Sequence, residues 1–273
     1  MLLELWIETR PFQSTSDMDL QKTRSPTGKN IFLTTCPNPI ALDFALHVEQ
    51  RFAALMQTAA ASAAAGPTLA QSLGGKLVYM GELDAEGRAW MVAANIAGGA
   101  SLAVCADPAA QKQAIRDGVA DFLVTDLDEA LRILKNEIRK HETVAVCIGN
   151  AHQAIEREMA ERGVVPDLLP RFGLAEEPEP EALVSWSVGS APAQWLPRLD
   201  ALAIDSVEGD AAAQRWLRLA PRYLGRGARN VRVLRCASAA AERFIARARE
   251  AVESGEIGVD VEIKLNGSEL LLR

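Results

Sequence analysis

Four short apolar runs, Leu77 to Met80, Ser101 to Cys105, Phe122 to Thr125 and Thr143 to Ile148, set the rhythm of the middle of the chain. Each is too brief for a helix, and none alternates with period two. This is the pattern of parallel strands covered on both faces. Between Thr125 and Thr143 the period changes to that of a helix, with Leu127, Leu131, Leu134 and Ile138 spaced four, three and four apart. Asp126 is a plausible N-cap, acidic residues follow in the first turn, and Arg139-Lys140 close the last. Strands alternating with helices at this spacing predict right-handed βαβ units. The expected class is α/β: a Rossmann-like, doubly wound, mostly parallel sheet with helices on both faces, plus an N-terminal extension.

The flanks read differently. In residues 1–74, an extension of unclear type, Leu2 to Glu8 alternates weakly like an edge strand. Ile31-Phe-Leu-Thr-Thr35 reads as a strand stopped at Cys36-Pro37, and Phe44, Val48, Phe52 and Leu55 mark a helix. The alanine tract from Ala59 either extends that helix or frays, and Gly66-Pro67 ends it. Residues 75–175 hold the strand–helix alternation. Glu176-Glu-Pro-Glu-Pro180 is an acidic, proline-broken linker, and 181–273 forms a further α/β region, either a second lobe or strands added to the first sheet. There Ala182 to Val188, Ala201 to Ile204 and Val231 to Cys236 read as strands. Gln214 to Tyr223 and Ala239 to Glu253 read as helices. Val259, Val261, Ile263 and Leu265 alternate with polar residues as in a half-exposed edge strand.

Composition narrows the function classes. The chain has 273 residues, 49% hydrophobic and 24% charged, with a net charge of -7. That charge argues against sequence-independent binding to nucleic acid or an anionic membrane. A local cluster, Arg215, Arg218, Arg222, Arg226, Arg229 and Arg232, reads either as a positive surface or as a solvated helix face and loop. No apolar stretch reaches spanning length. Met1-Leu-Leu-Glu-Leu-Trp6 lacks the basic start of a signal peptide, so a reducing cytoplasm is expected. Cys36, Cys105, Cys147 and Cys236 show no CxxC pairing, and no metal site is signalled. The last three sit in apolar runs, as buried thiols would.

The residues that carry ligand chemistry cluster where strands give way to helices. A buried strand that stops at Gly149-Asn150-Ala151 and enters a helix presents backbone N–H groups to a phosphate or ribose. The alternative is a plain strand-to-helix turn with Asn150 as the cap. His152 starts that helix, where the dipole favours the neutral imidazole. It is a candidate acid–base group or an ordinary exposed residue. Cys36 is a candidate nucleophile without a local base, or an ordinary loop thiol. His47 and His141 read as surface residues. Glu82, Asp84 and Glu86 read best as acidic complements to a helix dipole.

From Gly75 onward these segments are similar to the urocanase (urocanate hydratase) family. The similarity rests on Lys76 to Gly98, Ser101-Leu-Ala-Val-Cys-Ala-Asp-Pro108, Leu127-Asp-Glu-Ala-Leu131, Gly149-Asn-Ala151 and Arg162-Gly-Val-Val-Pro-Asp167. It is weaker through Ala213-Gln-Arg-Trp-Leu217 and Ser254-Gly-Glu-Ile257. The resemblance implies bound NAD, used in the family as an electrophile toward the imidazole of urocanate before water is added. Gly81, Gly87, Asn150 and Ala151 would contact the dinucleotide, and Asp107 would substitute for the ribose-binding carboxylate that Cys105 replaces. Glu82, Asp84 and Glu86 crowd the turn meant for the pyrophosphate, and Arg88 would offset part of their charge. Past Asp167 the family's Gln-Thr-Ser-Ala-His segment is replaced by Leu168-Leu-Pro-Arg-Phe-Gly-Leu174. No cysteine lies between Cys147 and Cys236, where the family keeps its catalytic one. The resemblance therefore implies a reduced urocanase-like protein that has lost hydratase activity and keeps a ligand-binding or assembly role. The expected partners are a small-molecule or nucleotide ligand and further copies of the chain. The competing expectation is an active lyase of histidine catabolism with an altered or shared site, using His152 or Cys36.

Overall fold

The computed structural model describes residues 39–62, 72–170, 180–225 and 230–273. The strands expected at Leu2 and Ile31, and Cys36, lie outside the described residues. Helix α1 (Pro39–Ser62) carries the anticipated stripe, with Val48, Phe52 and Leu55 buried. Strand β1 (Leu77–Glu82), α2 (Ala85–Ala97), β2 (Ala100–Val104), α3 (Pro108–Arg116), β3 (Phe122–Val124), α4 (Leu127–Lys140), β4 (Val144–Ile148) and α5 (His152–Glu161) follow in strict alternation. Their strands form one parallel sheet in the order β1-β2-β4-β3. Every residue of β2 and β4 is buried.

Each face of that sheet has its own core. Leu102, Val104, Val146 and Ile148 pack against Leu127, Leu131 and Leu134 of α4 and Ile155 and Met159 of α5. The alternate positions Ala103, Ala145 and Cys147 join the core that contains α2. These small side chains allow a helix to lie close to the sheet. Helix α2 answers with alanines and is buried from Ala89 through Ala97. It is buried on all sides because α1 covers its far face, so its composition shows little amphipathicity.

A second, antiparallel sheet follows from β5 (Ala182–Val188), α6 (Pro192–Ser206), α7 (Ala211–Tyr223), β6 (Val231–Cys236), α8 (Ser238–Glu253), β7 (Val261–Leu265) and β8 (Ser268–Leu272). Its order is β6-β5-β7-β8. Trp186 packs on Phe244 of α8 with ring centroids 4.7 Å apart. From the opposite side Trp216 donates its indole N–H to the Val233 carbonyl at 2.6 Å and stacks obliquely on Phe52 of α1. All described residues belong to one compact unit. Helix α1 joins its halves, and Arg215 of α7 donates to the Ile96 carbonyl at the end of α2, at 2.6 Å.

Two readings of this half need correction. Ala201 to Ile204 is helical, within α6: Leu196, Leu199 and Ala203 are its buried apolar positions, spaced three and four apart. A four-residue apolar run was too short to separate strand from helix. The alternating run ending at Leu265 is not an edge. Strand β8 pairs outside it, returned by Asn266-Gly267, which adopt φ of 47° and 83°. Positive φ at both positions is the requirement of the type I′ two-residue hairpin turn, which Asn-Gly meets.

Candidate functional site

Chain direction reverses at one place in the parallel sheet. From β2 the chain runs through α3 to β3, beyond β4. From β4 it runs through α5 back to the outer edge of β1, where Leu168 forms a parallel bridge with Val78. The crevice between the carboxyl ends of β2 and β4 is therefore the topological switch point, where ligands of open α/β sheets bind. Its rims are Cys105 to Asp107 and Gly149 to Ala151, the stretches singled out from sequence.

The groups on these rims are largely engaged within the chain. Asp107 caps α3, its carboxylate accepting from the Ala109 and Ala110 N–H groups at 2.9 and 3.3 Å. Gln111, one turn further, donates to the Cys105 carbonyl at 2.7 Å. A Cβ built on Gly149 would lie 3.1 Å from the Gln111 amide nitrogen, so this side chain reaches from one rim to the other. The Gly149 N–H donates to the Val124 carbonyl. Gln111 was not anticipated: a polar residue within an exposed-looking helix carries no signal of where it reaches.

The turn after β1 is closed in the same way. Gly81 adopts φ of 71°, where the register of β1 against β2 shifts between Tyr79 and Glu82. Asp84 is the N-cap of α2 and accepts from the Gly87 N–H at 2.8 Å. Glu86 turns to α1, where His47 and Arg51 meet it at 2.7 and 2.8 Å. Burial pushes the Glu86 carboxyl up, but Arg51 and His47 outweigh it and hold it below the ordinary value. Arg88 pairs with Asp117 at the end of α3 rather than facing the turn. Glu82 is exposed and approaches His152, with 3.8 Å between carboxylate and Nδ1.

Among the helices that connect the strands of the parallel sheet, the start of α5 departs from this arrangement. Asp84, Asp107 and Asp126 cap α2, α3 and α4, but the N-cap of α5 is Ala151, which supplies no side-chain acceptor. Asn150 does not cap the helix. Its side-chain oxygen accepts from the Ala151 N–H at 2.8 Å. His152, the first residue of α5, is half-buried. Two of the described thiols are remote from nucleophilic chemistry: burial pushes Cys147 up to about 12 and Cys236 to about 11.

Residues 56–172 match the model of the urocanase Rossmann-like domain. This region belongs to that family. The match begins within α1, so the urocanase-type segment includes the last turns of the helix covering α2 as well as the sheet itself. The Asp167 motif finds a structural purpose here. Its carboxylate accepts from the Leu77 N–H at 2.9 Å and from Lys76 Nζ at 2.8 Å, clamping the outer edge of β1. Among the described residues no helix is long and apolar enough to cross a membrane.

Proposed function

We propose that this is a urocanase-like protein without urocanate hydratase activity, whose switch-point crevice is kept for ligand binding or assembly. One observation carries the reading: the groups that a dinucleotide would need are held by the chain's own hydrogen bonds. The Gly87 N–H is taken by Asp84, the Asp107 carboxylate by α3, and the gap beside Gly149 is bridged by Gln111. The NAD implied by the family resemblance does not fit the β1–α2 turn as built. A pyrophosphate there would displace a capping carboxylate and meet Glu82 without help from Arg88. What remains open is the uncapped first turn of α5, with Asn150, Ala151 and His152 around it. That favours a compact anionic or imidazole-bearing ligand over an extended dinucleotide. The unpaired thiols Cys105, Cys147 and Cys236 accord with a reducing, cytoplasmic setting.

The test is to incubate purified protein with urocanate, with and without added NAD, and follow urocanate absorbance. The expected trace is flat, and acid extraction releases no nucleotide. A protein-dependent decline would overturn the proposal in favour of an active lyase of histidine catabolism. Calorimetric titration with urocanate and with a nucleoside monophosphate then tests the ligand site. Binding that is lost in Ala151→Asp, which adds a carboxylate at the α5 start, supports it.

A further inference from the structure

We infer that β8 is the dimerisation edge of this protein, pairing antiparallel with β8 of a second copy about a two-fold axis at Leu271. Exposed sheet edges invite pairing unless they are short, charged, bulged or covered. The outer edge of β1 is closed by Leu168 and Asp167, and β3 has only three residues. Strand β8 reads Ser268-Glu-Leu-Leu-Leu272, with neither proline nor lysine, and among the described residues its partner strand is β7 alone.

The register follows from the hairpin. With a two-residue turn at Asn266-Gly267, Leu265 and Ser268 form the closing hydrogen-bonded pair. Alternation then directs the backbone groups of Ser268, Leu270 and Leu272 toward β7 and those of Glu269, Leu271 and Arg273 outward. A two-fold axis at Leu271 places Leu271 opposite Leu271 of the other copy, and Glu269 opposite Arg273, twice. All three outward-facing residues then exchange N–H···O=C bonds, and opposite charges face each other at both ends. Leu270 falls beside Leu272 of the other copy on the α8 side. There a groove of about 320 Å³, lined by Arg249, Val252, Glu253 and Leu270 to Arg273, provides room for it. Leu271, 43% exposed in a single copy, becomes covered by its own equivalent. The result is an eight-stranded antiparallel sheet with an isologous interface.

Sedimentation of the full chain over a concentration series tests this. The wild type is expected to dimerise reversibly. Arg273→Glu sets like charges opposite each other twice and weakens the dimer by about tenfold or more. Adding Glu269→Arg to that variant recovers association. Leu271→Lys leaves the monomer folded, by circular dichroism, and removes the dimer. In Leu271→Cys, mild oxidation gives a covalent dimer absent from the wild type, because facing residues of a hydrogen-bonded pair lie within disulfide reach. A chain that stays monomeric at the highest attainable concentration overturns the proposal, as does a dimer indifferent to both Arg273→Glu and Leu271→Lys.

Discussion

The parallel and antiparallel sheets solve the same problem in different ways. In the parallel sheet, central strands are buried on both faces, and apart from Ser101, which donates to Asn95 inside the core, polarity is gathered at the turns at the strand tips. In the antiparallel sheet, Arg232 and Arg235 lie among apolar neighbours within β6, and each requires a buried acidic partner. Asp200 lies 3.0 Å from Arg232, and Glu49 of α1 lies 3.0 Å from Arg235. Buried pairs of this kind break expensively but contribute little net stability. The comparison teaches that the urocanase-type half concentrates its chemistry at one rim, whereas the other half distributes charge through its packing and leaves its open edge for association.

The largest expected effects test whether the halves are separable. Trp186→Ala in the antiparallel core should cost about 3–5 kcal/mol, and Leu102→Ala in the parallel core about 2–5 kcal/mol. Because α1 packs on both halves, each variant should still unfold in one transition when followed by denaturant titration. Two transitions would break the picture of a single unit. Next comes the tie itself. Arg215→Ala leaves the Ile96 carbonyl at the end of α2 without its donor, at a cost of about 1–3 kcal/mol. The measurement is the same titration, and a loss of cooperativity would show that this contact couples the halves.

Smaller effects separate the helix starts at the rim. Asp84→Ala and Asp126→Ala each remove a cap and should cost about 1 kcal/mol. Ala151→Asp should instead stabilise by about 0.5–1 kcal/mol, since α5 lacks the cap that its neighbours possess. If Ala151→Asp were destabilising, the first turn of α5 would already be satisfied and the case for a ligand there would weaken.

The finest contrast is in pH dependence. The folded Glu86 carboxyl titrates below its ordinary value, so the unfolded chain binds more protons in that window. Its contribution is present above pH 4.5 and is lost as pH falls through the folded pKa. Asp200 has the opposite sign. Burial raises it, with Arg232 opposing only in part, so its contribution is complete below pH 3.8 and declines as pH rises through the folded pKa. Stability measured against pH should therefore flatten on the acid side in Glu86→Gln. In Asp200→Asn the change of slope should be reversed. A common sign in both variants would refute the assignment.

Much of the fold was legible because its determinants are local. Period-3.6 spacing identified α4, and the Asp126 cap formed as its sequence context indicated. Uninterrupted apolar runs identified β1, β2 and β4, which are buried almost throughout; β3 was legible from its run as well, but it lies at the sheet edge, where Phe122 and Leu123 are exposed rather than covered on both faces. The run Ala201 to Ile204 failed because four apolar residues do not separate strand from helix; the helical spacing emerges only when Leu196 and Leu199 are counted with Ala203. Strand β8 was missed because its leucines showed no alternation, though Asn266-Gly267 carried the turn signal.

The site divides along the same line. Sequence alone determined where the rim would be, because a strand that ends in Gly149-Asn150-Ala151 must expose backbone at its tip. It could not determine what each polar group would touch. By sequence, Glu86 suits a phosphate-facing turn no less than a contact with α1, and Asp107 a ribose no less than the start of α3. Tertiary packing made those choices: a carboxylate takes the nearest donors that folding brings within reach, and here α1, α2 and α3 brought them first.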